Sequence, residues 1–464
     1  MKVGAVEDRR EVKPVLVLTA LVVAVASFQL NATMLAPAIG TMAVELNTDI
    51  ATIGMSSTVF SFVTAIAGLF WPPLSDIIGR KRALLLSTSI LTLGSLMAAL
   101  AVNVPMLMVG RAMQGACGAT FALSFLVLRR VVDPKRFGRY VGIITAINAG
   151  VGGIDTLLGG IIADAVGFRG IFGLTLLLEI VAVIMIALWT PEIRELAAAR
   201  VDWWGIGTLT LALVAINFGL TTAFLPGGWT DWRTWGSFVV AGGALVAFRL
   251  GEGRIANPLL PIEALSDRGV WGLLLTTFFT LASSFSVLVF IIPALTQDPE
   301  GGFGLSSTWS ALLFLMPYSL LGWATAPVFG TLAPRIGYRL VLRIGLLGSL
   351  VLTGLMVVGV TNAVMLACVV FFMGATYSAA ASCALNGLGI IYAPASHPGI
   401  LPGMNSAAFN FGAAVGIGIM SAVISGDAGT DGYRNALTIA TVFTALAFVF
   451  SLILPARQIH GEKV

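Results

Sequence analysis

Charge is scarce in this sequence. Only 10% of its 464 residues are Asp, Glu, Lys or Arg, against roughly 25% in soluble globular domains. No stretch is polar enough for a water-soluble catalytic domain, which excludes a cytosolic enzyme. There are three cysteines, Cys117, Cys368 and Cys383, all inside apolar stretches, and two histidines, His397 and His460. These exclude a disulfide framework and a His/Cys metal site, and the cysteines read as small packed residues. No Gly-x-x-x-x-Gly-Lys-[Ser/Thr] loop occurs, so this chain does not itself use ATP and no cofactor is expected. The net charge is +4, but the basic residues form short clusters between apolar runs, a pattern of membrane loops and not of a nucleic-acid-binding surface.

Apolar residues are abundant: 58% of the chain is hydrophobic and the mean hydropathy is +0.97. A membrane span needs about 20 predominantly apolar residues, and fourteen windows meet that length: 14–39, 50–71, 83–103, 105–127, 139–163, 170–190, 204–223, 235–251, 269–293, 308–331, 340–360, 363–388, 401–425 and 435–455. The first follows Lys2, Arg9, Arg10 and Lys13 but is too long for a signal peptide, and it reads as a retained helix. Threading the windows alternately across a bilayer with the N-terminus inside puts 22 of the 26 Lys and Arg residues on the cytoplasmic side. Only Arg169, Arg233 and Arg434 fall opposite, and Arg111 lies within a span. This asymmetry predicts a multi-pass protein of the cell membrane with both termini cytoplasmic.

The chain also repeats. Pro73-Leu74-Ser75-Asp76-Ile77-Ile78-Gly79-Arg80-Lys81-Arg82 follows the second window, and Gly330-Thr331-Leu332-Ala333-Pro334-Arg335-Ile336-Gly337-Tyr338-Arg339 follows the tenth; superposing Gly79 on Gly337 gives an offset of 258 residues. The spacing predicts two similar six-helix bundles, 1–190 and 269–464, joined by a linker with two inserted helices over 191–268.

Several segments carry chemistry. Leu74-x-Asp76-x-x-Gly79-Arg80-Lys81 combines a turn glycine with an acid and two bases at a helix end. Arg111-x-x-Gln114-Gly115-x-x-Gly118 puts an arginine inside a span, where it needs a polar cavity or an acidic partner. Gly150-Val151-Gly152-Gly153 and Gly159-Gly160 make the fifth span glycine-rich, allowing close helix approach, and Phe168-Arg169-Gly170-Ile171-Phe172 follows it. Leu30-Asn31-Ala32-Thr33…Pro37 lies in the first span, while Asp202-Trp203-Trp204-Gly205 and Asn257-Pro258-Leu259-Leu260 flank the inserted pair.

Together these segments resemble the major facilitator superfamily and, within it, the fourteen-helix drug:proton antiporter family, over nearly the whole chain. The chain departs from the pattern at Asn31, where the family usually has an acid, at Asp155-Thr156 in place of a Gly-Pro pair, and at Pro72 in place of a glycine. The second copy of the loop lacks the acid. The resemblance implies an all-α polytopic major facilitator fold and secondary transport by alternating access. It further implies proton-coupled export of a small apolar or amphipathic compound, with substrate, protons and membrane lipid as partners. A monomer is expected. Asp76, Gly79, Arg80 and Lys81 are the expected gate.

Depth arithmetic adds a site. At about 1.5 Å per residue, Asn31, Arg111 and Asp155 lie roughly 10 to 13 Å from the same end of their helices, with Glu179 at a similar or slightly deeper level. The expectation is that Asp155 carries the coupling proton with Arg111 as counter-charge, a mobile arginine switching the acid between proton binding and release. Glu179 is either structural or a second proton or cation site. Asn31, Gln29, Gln114, Met113, Phe121, Asn386 and Tyr377 are the candidate substrate contacts. A uniporter or symporter of a polar metabolite, and a non-transporting membrane sensor on the same fold, remain as alternatives.

Overall fold

In a computed structural model the chain is almost wholly helical. The structure describes residues 13–132, 154–193, 202–252, 267–392, 400–427 and 429–455, Tyr140, Ile144, and the two-residue strands Gln458–Ile459 and Glu462–Lys463. Gly150 to Gly153, Asn148, His397, His460 and the Asn257-Pro258-Leu259-Leu260 segment lie outside the described residues.

Among the described residues, thirteen helices are long and apolar enough to cross a membrane: α1 (Pro14–Glu45), α2 (Ile50–Ile78), α3 (Arg80–Ala99), α4 (Val104–Val131), α6 (Phe168–Trp189), α7 (Trp203–Ala223), α8 (Trp232–Glu252), α9 (Arg268–Gln297), α10 (Ser307–Ile336), α11 (Tyr338–Val358), α12 (Ala363–Ile391), α13 (Gly403–Gly426) and α14 (Thr430–Ile453). The described part of the remaining window is α5 (Ile154–Val166). The first window runs on to Glu45 through a 3-10 turn at Ala36–Ala38, where Pro37 removes a backbone donor. Helix starts follow capping chemistry. Asp49, Asn103, Asp202 and Asn362 each accept a hydrogen bond from the backbone N–H three residues on.

The repeat recurs in the helix bounds. Shifted by the offset that superposes Gly79 on Gly337, α2 falls on α10, α3 on α11 and α4 on α12. The two turn glycines share one left-handed conformation, φ 99° and 97°, which side chains other than glycine rarely adopt. Each half also ties the end of its first helix to the start of its sixth, Glu45 to Arg169 in one and Asp298 to Tyr433 in the other.

The inserted helices α7 and α8 pack on one another, and α7 packs on α13 and α2. Elsewhere this hairpin presents exposed apolar side chains, including Val239 at 74%, a surface that suits lipid and not water. Exposed tryptophans mark its two ends, Trp203 and Trp204 at one, Trp229, Trp232 and Trp235 at the other.

The end of the bundle remote from Lys13 and Leu454 is here called the distal end. Among the described residues, the hydrogen bonds that bridge the halves cluster there. Gly40 N donates to Gln297 Oε1 (3.0 Å), Thr41 Oγ1 meets Ser307 Oγ (3.0 Å), and Ser421 Oγ donates to Ala51 O. Asp164 on α5 accepts from Ser307 N (3.1 Å) and Thr308 N (2.8 Å), so a carboxylate of one half caps α10 of the other. Glycine permits this approach: a Cβ on Gly160 would lie 2.7 Å from Ser307 O.

Candidate functional site

The polar core of the first half rests on close helix contacts. A Cβ on Gly94 of α3 would sit 2.8 Å from Gln114 N and from Gly110 O of α4, and one on Gly115 of α4 would sit 2.5 Å from Phe60 O of α2. With no side chain in the way, α4 is drawn against α2 and α3, and its Arg111 and Gln114 turn inward. Trp71 of α2 fixes the register by donating its indole N–H to Ala116 O at 2.6 Å.

Arg111 is 1% exposed. Its Nη1 donates to Asn31 O (3.0 Å) and to Gln114 Oε1 (2.8 Å), and the guanidinium carbon stands 4.2 Å from the centroid of the Phe60 ring. Gln114 Nε2 donates to Ser95 Oγ (2.8 Å), whose hydroxyl donates to Glu179 Oε1 (2.7 Å); Asn31 Nδ2 donates to the same oxygen at 2.7 Å and to Ser27 O at 2.9 Å. A chain of hydrogen bonds therefore runs from an arginine on α4 to a glutamate on α6, through α1 and α3, with Glu179 fully buried.

Asp155 stands apart from this chain. The depth argument expected it beside Arg111, yet no ion pair joins them. Thr33 Oγ1 lies against Asp155 Oδ2, and Thr156 N donates to Asp155 Oδ1 at 2.8 Å. The reason is rotational. Arg111 turns to Asn31 O and Gln114 inside the first half, whereas α5 turns Asp155 toward Thr33 of α1, one turn from the Gly159 contact with Met34. Among the described residues the acid connected to Arg111 is Glu179, and by a relay.

The other candidates separate in the same way. Asn31 (1% exposed) and Gln114 (0%) belong to the buried chain. Gln29, Met113 and Phe121 are half-buried, Tyr377 is buried on α12, and Asn386 is exposed. Phe121 packs edge-on against Phe125 of its own helix. In the loop motif, Arg80 is 5% exposed, donates to Leu126 O (2.6 Å) and pairs with Asp76 at 3.4 Å, while Arg82 meets Glu192 at 3.5 Å. Those contacts lie within the first half, and Lys81 is half-buried beside them. Three distal groups were not singled out from sequence: Asp164, Gln297 and Ser307. Single polar residues near helix ends look like ordinary interface residues, and only the packed structure shows that they face one another.

Cys117, Cys368 and Cys383 are free, buried, exposed and half-buried respectively. No cluster able to hold a metal ion occurs among the described residues.

Comparison with known proteins adds three kinds of likeness. A sequence profile described as Major Facilitator Superfamily matches residues 21–417, and again 273–463. The chain is 36% identical to a uridine/deoxyuridine transporter of Lactococcus lactis subsp. cremoris over 454 residues, covering 95% of this chain and 94% of that protein. Identity to multidrug resistance protein Stp of Mycobacterium tuberculosis is 26%, over 85% of this chain and 75% of that one. For multidrug resistance protein 3 of Bacillus subtilis it is 26%, over 59% and 55%. Among solved structures, the peptide transporter POT in complex with sulfate superposes with a TM-score of 0.67 at 17% identity, covering 94% and 93% of the two chains. The xylose transporter XylE of E. coli in a partially occluded inward open conformation gives 0.63 at 12% identity, covering 94% and 96%. At these identities the solved structures share the fold.

Proposed function

This chain belongs to the major facilitator superfamily, and on that premise we propose that it is a proton-coupled secondary transporter of a polar solute of nucleoside size. The observation that carries the substrate class is the near full-length similarity to the uridine/deoxyuridine transporter. The polar character of the junction between α1 and α5, where Gln29, Thr33, Asp155 and Thr156 gather, supports a ligand that forms hydrogen bonds.

The basic loops assign the end bearing Lys13 and Leu454 to the cytoplasm. The bonded distal end is then the external gate, closed here. Alternating access consists of breaking that seal while the cytoplasmic ends of the halves come together. Asp155 is a buried acid on α5, the helix whose Asp164 takes part in that seal. Thr33 Oγ1 has one proton and lies between two acceptors, Gln29 O at 3.0 Å and the Asp155 carboxyl group. If the hydroxyl proton goes to Gln29 O, a proton on Asp155 completes the second contact. We assign Asp155 as a proton-binding residue on this ground. The protein is taken to act as a monomer in the cell membrane.

A second reading, efflux of an apolar compound by a fourteen-helix drug:proton antiporter, is favoured by the multidrug relatives and by the Asp202-Trp203-Trp204-Gly205 segment before the inserted pair. One experiment separates the two. Proteoliposomes preloaded with unlabelled uridine are given labelled uridine outside, with a lipophilic cation tested in parallel. Counterflow of uridine that a proton gradient accelerates, with acceleration lost in Asp155→Asn, is the expected result. Exchange of the cation without uridine counterflow would reject the polar-solute reading.

A further inference from the structure

The buried chain around Glu179 leaves three polar atoms unmatched, and together they describe a second proton site. Among the described residues Asn31 Oδ1, Glu179 Oε2 and Arg111 Nε have no hydrogen-bond partner, although all three are shielded from solvent. Burial of an unmatched polar group is costly, and burial of a bare carboxylate oxygen more so. Two of the three vanish with one proton. Asn31 Nδ2 already donates to Glu179 Oε1 at 2.7 Å. A carboxylic acid with its hydrogen on Oε2 offers Asn31 Oδ1 the donor it lacks, and acid and amide then satisfy each other through two parallel hydrogen bonds. Ionised, Glu179 would keep both of its donors on one oxygen and none on the other.

We propose that Glu179 binds a proton in this state, with the distal end closed, as an acid–amide pair with Asn31, and that Arg111 takes the place of that proton when it leaves. The step balances. The Oε2–H bond breaks, the proton passes to water, and the carboxylate left behind is neutralised by the guanidinium already present, which brings its unused Nε–H. Among the described residues, Asn31 on α1 and Ser95 on α3 bond Glu179 directly, Cys117 on α4 lies near it, and Ser27, Gln114 and Arg111 reach it only through those partners. Asp155 on α5 is engaged by Thr33.

The exchange reaches the moving parts through α1. Arg111 holds Asn31 O in the protonated state, so its turn toward Glu179 frees the α1 backbone two residues from Thr33, which contacts Asp155. Asn31, which cannot carry a proton itself, is thereby the residue that senses one.

The inference goes beyond the assignment of Asp155 and rests on the transport reading for one of its two tests only. The first test needs no substrate. The infrared carbonyl band of protonated carboxylic acids is recorded for the purified full-length protein and for Glu179→Gln, Asn31→Ala and Asp155→Asn. The expected result is a component lost in Glu179→Gln, shifted in Asn31→Ala and retained in Asp155→Asn. A spectrum unchanged in Glu179→Gln overturns the proposal. Gln has nearly the size of Glu and the neutral charge of its acid form, and Asn31→Ala provides an independent variant should Glu179→Gln not fold.

The second test uses uridine counterflow and uptake in proteoliposomes. Glu179→Gln is expected to retain counterflow within about threefold while losing at least tenfold of the acceleration by a proton gradient. Retention of full acceleration overturns the proposal. If wild-type protein moves no uridine, the substrate reading fails, and the infrared result still decides the proton site.

Discussion

Removal of the Asp164 carboxylate should shift the protein toward a state open at the distal end. Asp164 accepts from Ser307 N at 3.1 Å and Thr308 N at 2.8 Å, across the interface between halves. The N-cap that α10 has of its own is weak, Ser306 accepting from Trp309 N at 3.5 Å. A carboxylate at an exposed helix N-terminus contributes about 0.3–1 kcal/mol, and each hydrogen bond a further ~0.5–1.5 kcal/mol. Asp164 is solvent-exposed, so screening puts the sum near the low end of that range, at about 1 kcal/mol. Since 1.4 kcal/mol corresponds to a factor of ten, the ratio of closed to open distal gate should fall by about fivefold in Asp164→Ala. Asp164→Asn keeps one acceptor and should fall between the two.

Spin labels at the distal ends of α5 and α10, read by pulsed dipolar spectroscopy, give the populations directly. The expected result is a growing long-distance component in the order wild type, Asp164→Asn, Asp164→Ala, with high salt moving wild type in the same direction. Identical distance distributions for all three proteins would refute the assignment of this cap to the gate.

Other perturbations follow from the same geometry. Gly79→Ala forces a side chain into a left-handed turn and toward the Glu192 carboxylate. It should cost on the order of 1–3 kcal/mol, seen as a lower thermal midpoint, with Gly337→Ala behaving alike. Gly115→Val drives side-chain atoms into Phe60 O and should separate α2 from α4, giving loss of folded protein in size-exclusion chromatography; expression at wild-type levels would contradict the close contact. Thr33→Val leaves Asp155 without its hydroxyl contact and should reduce proton-driven uptake several-fold, measured as initial rate, while uptake unchanged from wild type would remove Asp155 from the pathway.

Much of the architecture was legible because a bilayer imposes length on every helix. Hydropathy located the spans, and the single offset from Gly79 to Gly337 already related the two halves. The π-helical segments of α9, α10 and α12, at Leu281–Phe285, Val287–Ile291, Ala311–Leu315 and Gly374–Ala381, were not legible. An extra residue in a helical turn leaves mean hydropathy unchanged. Depth arithmetic along the sequence puts Asn31, Arg111, Asp155 and Glu179 in one layer but carries nothing about rotation around the helix axes. Rotation decides that Arg111 is linked to Glu179 by way of Gln114 and Ser95 while Asp155 turns to Thr33. Those angles are set by glycine contacts such as Gly94 with Gly110, and the sequence shows such glycines without showing what each one touches.

The tryptophans that bracket the α7–α8 hairpin bear on how the halves move. The 21 residues of α7 span about 31 Å, close to the ~30 Å of a hydrocarbon core, with indoles exposed at both ends of the hairpin. Indole rings favour the boundary between lipid and water, so tilting or sinking the hairpin would take one set away from its preferred depth. The hairpin is therefore moored in the bilayer while it also rests against α13 and α2, one helix from each half. In the proposed rocking cycle it would serve as a fixed post, and the angle swept by each half would be measured from the membrane itself. Bilayer thickness then becomes a control on transport: lipids that no longer match the spacing between the two tryptophan tiers would strain the post and change the turnover rate with the binding site left untouched.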